Sequence, residues 1–359
     1  MKLQFMNNRN SGIDLWKGIA VIAVIVLHWP FTLEGTRFSA MSGVVHQWTR
    51  FAVPFFFIMA GYFAAIKRER SDESILHSLK KPLFLLWIAV VYHILYAVLE
   101  PMLDWNSIHD NGLARAFCWS LMSQVRWFIH KPQSYLLSGP GFHLWFLISL
   151  AFVLTLYNVI RIRLSATAWL CASVGCYVLE CLSNHDTYGQ LIPFRIPFSV
   201  LRPLLACSFF FLGIALANSR YHPSRTAAYG LLVSGLILHT LEAIIFTKVT
   251  GADIYQQANL AGTYLLAAGA ALIALGYSES ARFEPLCWIG QHSLHVYASH
   301  LAFLNLAEKV CSPGLVMLQP IISLILAVSW AAVVPSCAQR WLVFCSRHCA
   351  VMTSLFGTV

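Results

Sequence analysis

Residues 12–28 read GIDLWKGIAVIAVIVLH, and this stretch decides how the chain folds. The ten residues between Lys17 and His28 are all apolar or glycine, which is typical of a transmembrane helix. Eleven residues make about three helical turns and about 16 Å, so a helix would place Lys17 and His28 on one face. Asp14 lies one turn before Lys17, where helical side chains meet. The stretch predicts an acid–base pair at one membrane boundary and a functional histidine deep in the span. The alternative is that His28 only forms a structural hydrogen bond in helix packing.

The composition of the whole chain is that of a membrane protein. Of its 359 residues, 58% are apolar and 11% are charged, whereas a soluble domain has about 25% charged residues. This composition excludes a soluble enzyme, a secreted disulfide scaffold and a disordered binding protein. The net charge of +9 does not indicate a nucleic-acid partner, because no Lys/Arg run has the required length or aromatic interleaving.

Charges and Pro/Gly clusters bound ten apolar runs along the chain. We predict an all-α integral membrane protein in which residues 1–359 form a single polytopic domain with about ten transmembrane helices. The predicted spans are 15–33, 51–66, 82–103, 143–160, 166–183, 199–217, 227–247, 259–277, 288–307 and 314–334. With the N-terminus in the cytoplasm, 15 of the 24 Lys and Arg residues fall on the cytoplasmic side. The positive-inside rule therefore predicts that both termini are cytoplasmic.

The longest segment between predicted spans, residues 104–142, contains a further helical pattern. Apolar residues recur there at helical spacing, namely Leu113, Phe117, Leu121, Val125 and Phe128. We predict an amphipathic helix on the outer membrane surface. An eleventh span is the alternative, and it would bury Arg115 and Arg126.

A cluster of basic residues follows the second predicted span. Its members are Lys67, Arg68, Arg70, Lys80 and Lys81. The positive-inside rule explains this cluster without a ligand. Since Lys17 is expected at the same membrane level, the cluster and Lys17 could instead hold a polyanion such as a nucleotide diphosphate. If these residues held a coenzyme A by its phosphates, its pantetheine arm would be comparable in length with the distance from Lys17 to His28. His28 could then act as a general base toward a hydroxyl acceptor that enters from the opposite side.

Other polar residues in the predicted spans are weaker candidates. His239 and Glu242, three residues apart, fit an acid–base pair or a structural hydrogen-bonded pair equally well. The ninth span contains His292, His295 and His300. These three histidines are accompanied by no carboxylate or cysteine, so we expect no metal site. The sequence contains no GxSxG, HExxH or glycine-rich phosphate loop.

Several of these stretches together resemble the acyltransferase-3 family of bacterial membrane O-acyltransferases. Residues 12–28 are similar to the family's Arg-x10-His element, with Lys17 in place of arginine, as in the fucose-4-O-acetylase-like branch. RFAVPFFFIMAGYF (50–63) resembles its second-helix signature, with Ala60 where serine is usual. Lys67 and Arg70 match the Arg-x-x-Arg pattern that follows. The later stretches HLWFL (143–147), FFFLGIAL (209–216) and IGQHSLHVYASH (289–300) occur in the family's order.

The resemblance implies a membrane O-acyltransferase, most often an O-acetyltransferase, with cytoplasmic acetyl-CoA as acyl donor. It implies a sugar hydroxyl as acceptor, on a surface or exopolysaccharide or its lipid-linked precursor, and a location in the bacterial inner membrane. The predicted site residues are His28, Lys17 and Asp14 for catalysis, Lys17, Lys67, Arg68 and Arg70 for the donor, and Arg50, His143 and Trp145 for the acceptor. Lysine in place of arginine keeps the charge but loses bidentate phosphate binding.

Two other classes of function are considered. A transporter or flippase of lipid-linked sugars would show inverted repeats and Gly/Pro-broken helices in matching halves of the sequence, and we find no such pair. A non-catalytic membrane protein of polysaccharide assembly would have a degenerate site, whereas Lys17 and His28 are both present. The expected partners are the lipid bilayer, acyl-CoA, the polysaccharide acceptor and polysaccharide-assembly proteins, with no nucleic acid.

Overall fold

The computed structural model describes residues 10–29, 39–70, 74–103, 108–110, 112–139, 141–183, 188, 196–219, 224–251, 253–276 and 283–348. All regular structure within these ranges is helical. The helices are α1 Ser11–His28, α2 Ser39–Thr49, α3 Ala52–Arg70, α4 Ile75–Ser78, α5 Lys80–Leu103, α6 Leu113–His130, α7 Pro132–Ser138, α8 Trp145–Ile160, α9 Ala166–Ser183, α10 Phe198–Asn218, α11 Arg225–Thr250, α12 Ala261–Gly276, α13 Glu284–Gln291, α14 Ser293–Val310 and α15 Gln319–His348.

Eight segments in these ranges are long and apolar enough to cross a membrane. They are Ser11–His28, Ser42–Glu69, Ile75–Leu99, Phe142–Ile160, Ala166–Ser183, Val200–Asn218, Arg225–Thr250 and Leu315–Val334. The two other predicted spans also fall on helices: α12 is apolar but has only 16 residues, and α14 carries Glu308 and Lys309 in its last turn. The chain is therefore a helical membrane protein, and the count of ten spans and the cytoplasmic termini stay predictions.

The lipid-facing surface is visible on the outer helices. On α11, Val233, Ile237, Leu241 and Ile245 follow one another at four-residue spacing, and each is at least half exposed. Four-residue spacing keeps these side chains on one helix face. An exposed apolar stripe of this length is unfavourable in water and is expected where a helix contacts lipid.

The predicted amphipathic segment forms a helix, α6. Only Ala116 is buried on this helix, whereas Trp119, Met122 and Ile129 are each more than 60% exposed. Ser120 and Gln124 follow Ala116 at four-residue spacing and are partly buried. The face of α6 that is turned toward the protein therefore carries small and polar side chains. Most of its large apolar side chains are exposed, as expected for a helix in contact with the membrane.

Three local features differ from the expected spans. The predicted span 288–307 is not one helix: α13 ends at Gln291 and α14 begins at Ser293, since His292 adopts φ −100° and ψ 13°. Residues 39–49, which were not predicted to be helical, form α2. Helix α3 continues to Arg70, so Lys67 and Arg68 lie on a helix rather than in a loop.

Helix pairs in the core approach closely through glycines. A Cβ on Gly213 of α10 would lie 2.0 Å from the Ile58 carbonyl oxygen, and a Cβ on Gly61 of α3 would lie 2.0 Å from that of Phe210. In membranes, small residues at such crossings permit the backbone packing that holds helices together. Helices α3 and α10 therefore depend on both glycines, and this contact fixes the position of the basic end of α3.

We expect Gly213→Ala to destabilise the protein by about 1–3 kcal/mol, because the added methyl group overlaps a backbone oxygen. Gly175→Ala in α9 is the matched control: a Cβ there meets nothing within 4 Å, and alanine favours the helix by about 1 kcal/mol. The measurement is the midpoint of thermal unfolding in detergent. Equal midpoints for the two variants would contradict the close packing.

Candidate active site

Helix α1 positions the residues that the sequence singled out first. The helix is continuous from Ser11 to His28, and its first turn is capped by Asn10, whose side-chain oxygen accepts a hydrogen bond from Ile13 N–H at 3.1 Å. Lys17 and His28 therefore lie on one face, about 16 Å apart along the axis. Lys17 Nζ lies 3.8 Å from Oδ1 of the buried Asp14. The predicted pairing of Asp14 with Lys17 is thus present at one end of α1, and His28 lies at the other end.

Three histidines from distant parts of the chain meet at the His28 end of α1. The His300 ring centre lies 5.3 Å from that of His28, and the His143 ring centre lies 6.2 Å from it. The rings of His143 and His300 are 4.9 Å apart, and Phe142 lies 5.3 Å from His28. Residues 142–144 form a single turn before α8, and His300 lies in the middle of α14. We name His28, His143 and His300 the histidine cluster.

Backbone carbonyls fix the tautomers of two histidines in this cluster. His300 Nδ1 lies 2.6 Å from the Tyr297 oxygen, and His143 Nε2 lies 3.3 Å from the Ala298 oxygen. A carbonyl can only accept, so both nitrogens carry the proton. The other nitrogens, His143 Nδ1 and His300 Nε2, are buried and have no hydrogen-bond partner among the described residues. Each unpaired lone pair costs about 1–3 kcal/mol in a buried site, which indicates a place where a donor binds.

Two tyrosines hold the cluster in place. Tyr96 of α5 donates a hydrogen bond to the Ala298 oxygen at 2.9 Å and accepts one from Ala302 N–H at 3.2 Å. Tyr297 donates a hydrogen bond to the His143 carbonyl oxygen. These bonds tie α5, α14 and the turn before α8 to one another, so the imidazoles are held on a rigid support.

Two arginines lie near His28 and give this region positive charge. Arg202 of α10 lies with its guanidinium 4.3 Å from the Trp145 ring centre. Arg50 Nη2 donates a hydrogen bond of 2.5 Å to the Tyr255 carbonyl oxygen. Both guanidinium groups interact electrostatically with His28. The predicted acceptor residues Arg50, His143 and Trp145 thus gather around the His28 end of α1.

Helix α2 closes over the same end of α1. His46 Nε2 lies 3.1 Å from the Leu27 carbonyl oxygen, one residue before His28. Since a helix C-terminus leaves carbonyl groups without partners inside the helix, this contact satisfies one of them. It also places Arg50, which follows α2 directly, beside the histidine cluster.

The basic residues near Lys17 are only partly brought together. Lys17 Nζ lies 5.5 Å from the Phe63 ring centre, and Lys67 follows Phe63 by one turn on the same face of α3. Arg68 points away from Lys17 and toward Tyr157 of α8. Its guanidinium carbon lies 4.8 Å from the Tyr157 ring centre, and its Nη1 donates a hydrogen bond of 3.4 Å to the Tyr157 carbonyl oxygen. The side chain of Arg70 lies outside the described residues. Lys17 and Lys67 therefore form the anion-binding candidate, without Arg68.

The family of the chain was determined by comparison with known proteins. The model of the acyltransferase-3 family, an acyltransferase domain, matches residues 10–338. The chain belongs to this acyltransferase family. No curated protein and no solved structure gives a significant match. The acyltransferase domain thus runs from the first turn of α1 into α15 and contains the whole histidine cluster, while the fucose-4-O-acetylase-like branch stays a prediction.

Among the remaining sequence candidates of the acyltransferase, His239 and Glu242 have separate partners. His239 bonds to Gln47 Oε1 at 2.9 Å and to Thr263 Oγ1 at 3.0 Å. Glu242 accepts hydrogen bonds from Tyr188 and from the Gly262 N–H. The two residues therefore do not bond to each other as either interpretation of the pair expected, and their separate bonds join α11 to α2 and α12.

The other two histidines of the predicted ninth span lie away from the cluster. His292 stacks on Trp288 with ring centres 4.0 Å apart, and His295 is five residues, about 140° around the helix, from His300. In the described part of the acyltransferase, no group of three or more His, Cys, Asp or Glu residues has a geometry that could hold a metal ion. The histidine cluster is a candidate for proton transfer, because two of its imidazoles each keep a buried ring nitrogen with a lone pair.

Three residues of this region were missed by the sequence analysis as site candidates. Tyr96 and Tyr297 carry no sequence signal, since tyrosine is common in membrane helices. Arg202 did carry one: it lies within the predicted span 199–217, and an ionisable residue inside a span marks a functional site by default. In the comparison of the two membrane sides, Arg202 entered only as one of the basic residues on the non-cytoplasmic side.

Proposed function

We propose that this acyltransferase moves an acetyl group from cytoplasmic acetyl-CoA to a sugar hydroxyl, with His28 as the general base. The acceptor is a surface or exopolysaccharide or its lipid-linked precursor, and the enzyme acts in the bacterial inner membrane. The observation that carries the proposal is the continuous helix α1, with Lys17 at one end and His28 in the histidine cluster at the other.

The donor binds at the Lys17 end. The ammonium groups of Lys17 and Lys67 are suited to the phosphates of coenzyme A, with Arg70 as a further predicted contact. Their level in the membrane leaves about 16 Å to His28 along α1, so the pantetheine arm brings the thioester to the histidine cluster. In this arrangement the donor and acceptor enter from opposite sides.

The chemistry at His28 is a direct acyl transfer. His28 takes the proton of the sugar hydroxyl, and the oxygen attacks the thioester carbonyl carbon and forms the ester bond. The carbon–sulfur bond breaks, and the coenzyme A thiolate takes the proton back from His28. The positive charges of Arg50 and Arg202 stabilise the oxyanion that develops on the carbonyl oxygen. The products are the O-acetylated sugar and coenzyme A thiol, and His28 returns to its neutral form.

The acceptor binds at the side of Arg50, His143 and Trp145. Trp145, with the Arg202 guanidinium against its ring, offers aromatic surface, and Arg50 is a hydrogen-bond donor; these are the two types of group that bind sugars. A lipid-linked acceptor would reach this side through the bilayer, along the exposed apolar surfaces of the outer helices.

The test is transfer of radiolabelled acetyl from acetyl-CoA into the polysaccharide fraction. Membranes that contain the protein are compared with membranes from cells that lack it, and hydrolysis of the labelled fraction identifies the sugar. We expect label only where the protein is present, with one coenzyme A thiol released per acetyl group. Absence of label with acetyl-CoA and succinyl-CoA and several acceptors would contradict the proposal and favour a transporter or a non-catalytic assembly protein.

Loss of the Lys17 ammonium should weaken donor binding. We expect Lys17→Ala to raise the KM for acetyl-CoA about 10-fold or more, since a hydrogen bond to a charged group contributes about 1.5–3 kcal/mol. Lys17→Arg should keep a KM close to that of the native protein because the charge is retained. Lys248→Ala, at the exposed end of α11, is the control and should leave this KM unchanged. A change in acceptor KM alone would show that Lys17 does not bind the donor.

A further inference from the structure

Among the described residues, His28 interacts with no carboxylate, the partner that a general base of this kind often has. After it takes a proton, an imidazole carries two N–H groups. One of them faces the reacting oxygen, and the other needs an acceptor, which in many enzymes is a carboxylate. In the described part of the chain, the ionisable groups that interact with His28 are His46, Arg50, His143, Arg202 and His300. None of these is a carboxylate.

His300 has the properties of the missing acceptor. Its Nδ1 is held by the Tyr297 oxygen at 2.6 Å, so Nε2 carries the lone pair. This Nε2 is buried and has no hydrogen-bond partner among the described residues, and the His300 side chain has 0% exposure. A buried lone pair without a donor is unfavourable, and a protonated His28 supplies a donor.

The separation of the two rings suits a hydrogen bond. A ring nitrogen lies about 1.1 Å from the ring centre, so imidazoles joined by a bond of about 2.9 Å have centres about 5.1 Å apart. The centres of His28 and His300 are 5.3 Å apart, with the planes tilted by 33°. At this separation, a rotation of the His28 side chain could bring one of its nitrogens within hydrogen-bond distance of Nε2. His143, at 6.2 Å and 66°, is farther away and more nearly edge-on.

We propose that His300 is a positioning residue for His28. His300 Nε2 accepts a hydrogen bond from the N–H of His28 that does not face the sugar hydroxyl. This proposal rests on the acyl-transfer function proposed above. His300 selects the reactive tautomer of His28 and stabilises its protonated form during transfer, in the place of a carboxylate. Ser323 of α15 supports it by donating a hydrogen bond to the His300 carbonyl oxygen at 3.0 Å, which fixes this turn of α14.

The test compares two variants of similar shape that differ in their ability to accept a hydrogen bond. His300→Gln offers an amide oxygen to His28, whereas His300→Met fills the same space without a strong acceptor. We expect His300→Met to lower kcat by about 100-fold or more, as the loss of proton-transfer assistance does, with an unchanged KM for acetyl-CoA. His300→Gln should recover at least about 10-fold of this loss. His295→Met, on the same helix but outside the cluster, should keep the native kcat.

The purified variants are compared at equal amounts of folded protein, judged by gel filtration in detergent. If His300→Met does not accumulate, His300→Asn replaces it, because its shorter amide does not reach His28. A native kcat in His300→Met would overturn the role of His300. Equal kcat values for His300→Gln and His300→Met, or for His300→Gln and His300→Asn, would overturn it as well. Failure of the proposed function is a separate result, since the native protein itself would then transfer no acetyl group.

Discussion

Replacement of His28 by alanine should abolish acyl transfer while the protein still folds and accumulates in the membrane. Loss of a general base lowers a rate by about 100- to 10,000-fold, and alanine offers no group that can take its place. The folded state should be little affected, because His28 is the last residue of α1 and is only half buried. The measurement is the initial rate of labelled acetyl transfer per folded molecule, with purified protein in detergent or proteoliposomes.

The matched control for this prediction is His93→Ala in α5. His93 also lies in the membrane domain, where it is more deeply buried than His28, and its Nδ1 bonds to the Ala89 carbonyl oxygen at 2.8 Å. His93 lies outside the histidine cluster and bonds within its own helix, so we expect its loss to reduce stability and leave the rate per folded molecule within a few-fold of native. Transfer by His28→Ala at the native rate would rule out His28 as the base. Equal losses of rate in both variants would show a general effect of removing a histidine from the membrane domain.

The parts of the site that are local in sequence could be predicted from the sequence. Asp14, Lys17 and His28 lie in one apolar stretch of a single helix, and a helical repeat alone determines which of them share a face. The amphipathic helix α6 is predictable for the same reason, since its pattern is contained within the segment that forms it. Periodicity describes a helix by itself and is independent of what packs against it.

The parts that depend on packing between distant helices could not be predicted in this way. The approach of His143 and His300 to His28 joins a turn before α8 and the middle of α14 to the end of α1, and no spacing along the chain encodes it. The break between α13 and α14 at His292 is likewise not marked by any spacing along the chain. A Cβ on Gly290 would lie 1.8 Å from the Asp14 carbonyl oxygen, so α13 lies directly against α1, while α14 departs toward the cluster.

Glu242→Ala should destabilise the fold without a loss of catalysis per folded molecule. One carboxylate oxygen of Glu242 accepts a hydrogen bond from Tyr188 at 2.5 Å, and the other accepts one from Gly262 N–H at 2.8 Å. Gly262 is the second residue of α12, where N–H groups have no partner within the helix and a negative charge favours the helix dipole. Removal of the carboxylate leaves two donors without an acceptor, at an expected cost of about 2–4 kcal/mol.

Unfolding midpoints in detergent and acetyl-transfer rates at equal folded protein decide between the two interpretations of Glu242. Glu242→Gln should be less destabilised than Glu242→Ala, because its amide oxygen still accepts one of the two bonds. Glu284→Ala, in the exposed first turn of α13, is the control for the loss of one carboxylate. A Glu242→Ala protein with native stability and a greatly reduced kcat would show acid–base catalysis by Glu242. Reduced stability with a native kcat would show that this carboxylate holds the start of α12 against α11 and takes no part in proton transfer.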